Sequence, residues 1–151
     1  VEPAKFDDAP VQNITLTDLQ NIANTIMSTA DPSIMQNSHS PQSKALEWSK
    51  NDLNIYNVDS KSRVAQRFIL ATLYYATNGT AWKTNTNWGD GHECEWHGVG
   101  CEHDERGVTA VTYLDLNSNN LVGFIPREIG YITTLEQSKC MIYHFDLYFA
   151  L

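Results

Sequence analysis

Between Val108 and Leu135 the chain reads V-T-A-V-T-Y-L-D-L-N-S-N-N-L-V-G-F-I-P-R-E-I-G-Y-I-T-T-L, and this stretch constrains the fold more than any other. Val111, Leu114 and Leu116 set apolar side chains along a strand, and Leu121, Ile125, Ile129, Ile132 and Leu135 carry the apolar pattern onward. Asn119 stands where the strand ends, so its side-chain amide can bond backbone groups leaving that strand. Gly123 and Pro126 then turn the chain. The spacing from Val111 to Leu135, about 24 residues, falls within the period of one solenoid coil. Such a stretch directs the functional question toward recognition rather than catalysis.

At 151 residues the chain has the size of one ordinary domain. No apolar run approaches the roughly 18 residues that span a bilayer, so direct membrane insertion is not expected. A formal charge of -8, with only ten Lys and Arg, works against nucleic acid or an anionic membrane as partner, because phosphate contact needs clustered cations. The chain begins at Val1 without a signal peptide, which suggests a processed form or a fragment. Asn13-Ile14-Thr15 and Asn78-Gly79-Thr80 match the N-glycosylation acceptor pattern and make Asn13 and Asn78 glycosylation candidates.

Five segments follow from the pattern. Residues 1–12 carry Pro3 and Pro10 without periodicity and read as an irregular arm; residues 13–79 read as helical. A first helix is expected after Thr17 on Leu19, Ile22, Ala23, Ile26 and Met27, and a second after the Ser40-Pro41 cap with Ala45, Leu46 and Trp48. A third, capped by Asp59 or Ser60 and stopped by Asn78-Gly79, carries Val64, Ala65, Phe68, Ala71, Leu73 and Tyr75. Ile69, Leu70 and Tyr74 widen its stripe, which predicts burial on more than one side. Residues 80–107 form a Cys/Trp-rich cap in which Trp82, Trp88 and Trp96 are expected to build a satellite core. A hairpin joins Val99–Glu102 to Val108–Leu116. Residues 108–137 are the repeat, and 138–151 an atypical tail.

Cys94-Glu95-Trp96-His97-Gly98-Val99-Gly100-Cys101 resembles the C-x-W-x-G-V-x-C cap of plant-type leucine-rich-repeat proteins, and N-S-N-N-L-V-G-F-I-P resembles their N-x-L-x-G-x-I-P signature. Ser40 to Trp48 and Gln66 to Trp82 look like the segments before that cap in algal members. The resemblance implies an α/β fold: a helical N-terminal cap with a disulfide-bonded β-hairpin leading into a leucine-rich-repeat solenoid. In it Val111, Leu114, Leu116, Asn119, Leu121, Gly123, Ile125 and Pro126 are the structural positions. It implies a strand face that binds protein, peptide or glycan, with Thr112, Tyr113, Asp115 and Asn117 as the solvent positions. It implies no catalytic residue, no cofactor and no metal. The compartment it implies is extracellular, as a secreted protein or the ectodomain of a membrane-anchored one.

The family uses the Cys94 and Cys101 spacing for a disulfide, which would contribute about 2.5 kcal/mol for so short a loop. A rival reading is a zinc site, since His92, Cys94, His97, Cys101 and His103 crowd five potential ligands into one segment. A third reading is a purely structural solenoid cap or truncated fragment that touches no ligand. A nucleophile and base pairing of Cys140 with His144 lacks an orienting partner, and Gly89-Asp90-Gly91 is no phosphate loop. Asp7-Asp8 and Asp104-Glu105 read as solvated charge. After Leu135 the family pattern breaks, with Ser138, Cys140 and Tyr143 where Leu, Leu and Asn would stand. The tail is read either as sequence foreign to the repeat, left by truncation or misjoining, or as a closing strand over Ile132 and Leu135.

Overall fold

The computed structural model describes residues 13–28, 32–52, 60–103, 105 and 107–135, together with the backbone of 140–141. Four α-helices precede a small sheet. Helix α1 is Leu16–Ile26, α2 Ser33–Gln36, α3 Pro41–Asn51 and α4 Lys61–Ala76; strands β1 (Val99–His103), β2 (Thr109–Asp115) and β3 (Cys140–Met141) follow. The 1–12 arm and almost all of the tail, His144 included, lie outside the described residues.

Each helix starts where a side chain can take an orphan backbone N–H, the one-turn α2 excepted. Thr15, not Thr17, caps α1: its hydroxyl accepts from the Asp18 N–H, and the Asp18 carboxylate accepts from the Thr15 N–H, a capping box. Ser40 caps α3 with Pro41 at the first helical position, and Ser60 caps α4. Residues 33–36, between the first two expected helices, make one helical turn. Helix α4 ends before Asn78, whose φ of 55° takes the left-handed conformation that asparagine tolerates.

Helix α4 is the centre of the molecule. Val64, Phe68, Ile69, Leu70 and Leu73 are buried on several sides, against α1 and α3 on one flank and β2 on another. Each such side chain contributes about 1.5–3 kcal/mol of burial. Val111, Leu114, Leu116, Leu121 and Ile132 from the repeat stretch join the same cluster, as do Trp82 and Trp96. The tryptophans therefore belong to the main core and do not form a satellite.

The expected solenoid start is not what the chain builds. Strands β1 and β2 pair antiparallel, with a bulge between Gly100 and Cys101, and β3 adds only two residues, Leu114 opposite Cys140 and Asp115 opposite Met141, in parallel. A stacked coil would need β2 to offer its backbone and its apolar face to further coils, about three of them for a stable solenoid. Here the apolar face is packed on the helices. Backbone groups of β2 are also taken by side chains: the Gln66 amide donates to Thr109 O (3.2 Å) and accepts from Val111 N (2.7 Å), while the Thr134 hydroxyl donates to Val111 O (2.7 Å). The repeat stretch is thus absorbed into a helical core, and the disulfide-bonded hairpin is the part of the fold expectation that survives.

Candidate functional site

The repeat residues serve that docking. Val111, Leu114, Leu116, Leu121 and Pro126 are buried, and Ile125 packs against the core. Asn119 bonds outward from its turn to the Trp-rich segment: its Oδ1 accepts from Thr84 N (2.7 Å) and its Nδ2 donates to Thr84 O (2.8 Å). Gly123, at φ 132°, lets the chain press on the end of α4, where Phe124 N donates to Ala76 O (3.3 Å) and Val122 N to Thr77 O (3.1 Å). A Cβ at position 123 would collide with Ala76 O.

The four residues expected to face a ligand share one strand and its exit. Thr112, Tyr113 and Asp115 are half-buried and Asn117 is exposed. The Tyr113 hydroxyl donates to Asp115 Oδ2 (3.1 Å), and Asp115 Oδ1 accepts from Asn117 N (3.0 Å). Partial desolvation, then the bond to Asp115 and its charge, hold the Tyr113 phenol above its ordinary value. Tyr113 and Asp115 are therefore bonded to each other, which fixes their orientation and leaves less of each free for a ligand.

A second surface escaped the sequence reading. Trp48 from α3, Ala71, Tyr74 and Tyr75 from α4, and Trp88, Gly89 and Trp96 from the Trp-rich segment line a half-open cleft of about 200 Å³. The rings brace one another: Tyr74 stacks on Trp88 at 5.9 Å, Trp88 lies 5.1 Å from Trp96, and Trp48 meets Trp96 edge-on at 5.9 Å. Burial, then the neighbouring Tyr74, raise the Tyr75 phenol. Trp82, Trp88 and Trp96 donate their indole N–H groups to backbone carbonyls, Thr77 O (3.0 Å), His97 O (2.9 Å) and Asp90 O (2.6 Å).

Beneath the cleft lies a buried ion network. Arg67, wholly buried, donates to Asp52 Oδ2 from Nε (2.8 Å) and Nη2 (2.6 Å), and from Nη1 to Glu93 Oε2 (2.9 Å) and Gly91 O (3.0 Å). Its guanidinium lies 5.0 Å from the Trp96 ring centre and 5.7 Å from that of Trp48. Arg63 grips both oxygens of Glu93 at 2.8 Å. Burial alone would raise the Glu93 carboxyl, but Arg63, with help from Arg67, outweighs it and holds the group at about 2. Arg63 and Arg67, four apart inside an apolar helix, were the signal for this network, and their partners come from distant segments.

Cys94 and Cys101 are joined in a disulfide with Cα atoms 5.6 Å apart, which pins the Glu93 turn to β1. That bond removes both thiolates from the zinc reading, and among the described residues no group of three His, Cys, Asp or Glu is placed to hold a metal. His92 Nδ1 instead accepts from Cys94 N, and His103 Nδ1 lies 3.1 Å from the Thr109 hydroxyl. Asn13 and Asn78 are exposed, the latter accepting from the Thr80 hydroxyl at 3.3 Å. Among the described residues no helix is long and apolar enough to cross a membrane.

No family model matches the chain, and no solved structure matches it. Over 56 residues it is 34% identical to leucine-rich repeat extensin-like protein 7 of Arabidopsis thaliana, a stretch covering 36% of this chain and 13% of that protein. The relationship is leucine-rich-repeat-like and partial.

Proposed function

We propose that this chain is a non-catalytic recognition module of an oxidising compartment, carried by a secreted or membrane-anchored protein of leucine-rich-repeat-like sequence, and that its ligand is a protein, peptide or glycan. The observation that carries the reading is the aromatic cleft, rigidly braced by the Arg67 network and open to solvent between α3, α4 and the Trp-rich segment. Half-buried aromatic rings held in place at low entropy cost are the composition of binding hot spots. The charged groups nearest the cleft are committed to one another, which suits a binding surface better than acid–base work. The Cys94–Cys101 bond and the partial likeness to an extensin-like protein support an extracellular setting. The strand face at Thr112, Tyr113, Asp115 and Asn117 is a second contact area.

Immobilised protein probed with glycan and peptide arrays tests this. Binding should fall in Tyr75→Phe, which removes only a hydroxyl without a partner among the described residues, or in the Tyr113→Phe/Asp115→Asn pair, while thermal stability is largely kept. An array on which the folded protein captures no more than its unfolded form overturns the proposal in favour of a purely structural cap. Peptide mapping without reduction tests the compartment: free thiols at Cys94 and Cys101 in protein from its native source would defeat it.

A further inference from the structure

We infer that the cleft binds a pyranose ring of a neutral glycan, with Trp48 and Tyr75 as the residues that recognise it. The inference rests on the cleft being a binding surface and names its ligand. Three of the four indole N–H groups are satisfied by backbone carbonyls, whereas that of Trp48 has no partner among the described residues. Gly89 faces it: at φ 83°, a Cβ built there would stand 3.4 Å from Trp48 Nε1, in the space that gives a ligand access to this donor. The Tyr74 and Tyr75 hydroxyls likewise have no hydrogen-bond partner among the described residues. The cleft therefore offers half-buried aromatic rings edged by the open Trp48 N–H and the Tyr74 and Tyr75 hydroxyls.

A pyranose with equatorial hydroxyls has the complementary form. Its axial C–H groups make an apolar face with slight positive charge, which suits the negative face of an aromatic ring, while its hydroxyls point outward to hydrogen-bonding edges. Trp48 and Tyr75 also line a wider trough of about 620 Å³ whose walls include Gln36, Lys44, Glu47 and Lys50. The net charge of -8 disfavours a polyuronate at long range, and in the trough Glu47 pairs with Lys50 at 3.1 Å, so a neutral glycan fits. A proline-rich peptide could also stack on these rings and accept from the open N–H and hydroxyls through its carbonyls, but only a sugar hydroxyl can donate back to the Tyr oxygens, and hexaproline is therefore the competing ligand in the test.

Titration calorimetry of the full chain with β-1,4-linked hexasaccharides of glucose, xylose and mannose, and with hexaproline, tests the inference. At least one hexasaccharide should bind saturably. Trp48→Phe, which keeps a ring but removes the N–H, and Tyr75→Phe, which removes only the hydroxyl, should each weaken it about three- to tenfold with the melting temperature unchanged. Absence of heat with all three sugars at millimolar concentration overturns it, as does sugar binding that neither variant weakens. Binding of hexaproline instead overturns the sugar assignment but leaves the recognition proposal standing; array binding that depends on Tyr113 and Asp115 and not on Trp48 places recognition elsewhere.

Discussion

Arg67 and Asp52 form a closed pair in the centre of the molecule, the guanidinium presenting Nε and Nη2 to one carboxylate oxygen at 2.8 and 2.6 Å with both side chains shielded from water. The pair ties the end of α3 to the middle of α4, and the remaining arm of Arg67 reaches Glu93 under the aromatic cleft. Arg67→Leu would leave Asp52 without this partner in a low-dielectric site. It should cost about 3–5 kcal/mol, read as a shift of the denaturant midpoint. A loss under about 1 kcal/mol would show that the network does not brace the fold.

Glu93 gives a pH signature. Its carboxyl sits near 4.5 in an unfolded chain and at about 2 here, so the unfolded state binds more protons between those values. Its contribution, about 3 kcal/mol, is complete above pH 4.5 and is lost as pH falls through 2. Stability curves of wild type and Glu93→Gln should converge as pH drops from about 5 to about 2. Curves that stay parallel over that interval would disprove the assignment.

Asn119 joins the repeat stretch to the Trp-rich segment through both atoms of its amide. Asn119→Ala strands Thr84 N and O and should cost about 1–3 kcal/mol by thermal or chemical denaturation. An unchanged melting temperature would mean that water replaces the amide without loss.

Gly123 and Gly107 both have positive φ, 132° and 79°, but only Gly123 has backbone where a Cβ would go. Gly107→Ala should cost about 1–2 kcal/mol for conformation alone. Gly123→Ala should cost more, since the chain must also lift off Ala76. Equal losses would argue against close docking on α4.

Reducing the Cys94–Cys101 bond, or replacing both with Ala, should lower stability by about 2.5 kcal/mol. It should also loosen the Glu93 turn, seen as faster hydrogen exchange at residues 93–95. Exchange unaffected by reduction would show that Arg63 and Arg67 hold that turn without the disulfide.

The local elements were legible because their causes are local. The Ser40-Pro41 and Ser60 caps, the Asn78 stop and the apolar stripe of α4 are written within a few residues of where they act, and so is the β1–β2 hairpin. The shift of the α1 cap from Thr17 to Thr15 shows where short signals compete.

What the spacing of Val111 to Leu135 determined by itself was a strand, a turn and a line of apolar side chains; it did not determine what would cover them. Apolar burial has no direction, so the same side chains can pack on a neighbouring coil or on a helix, and the tertiary structure put α4 there. The same holds for the cleft. Trp48 lies far along the chain from Trp88 and Trp96, and only packing of α3 against α4, fixed by Arg67 between Asp52 and Glu93, brings the rings together.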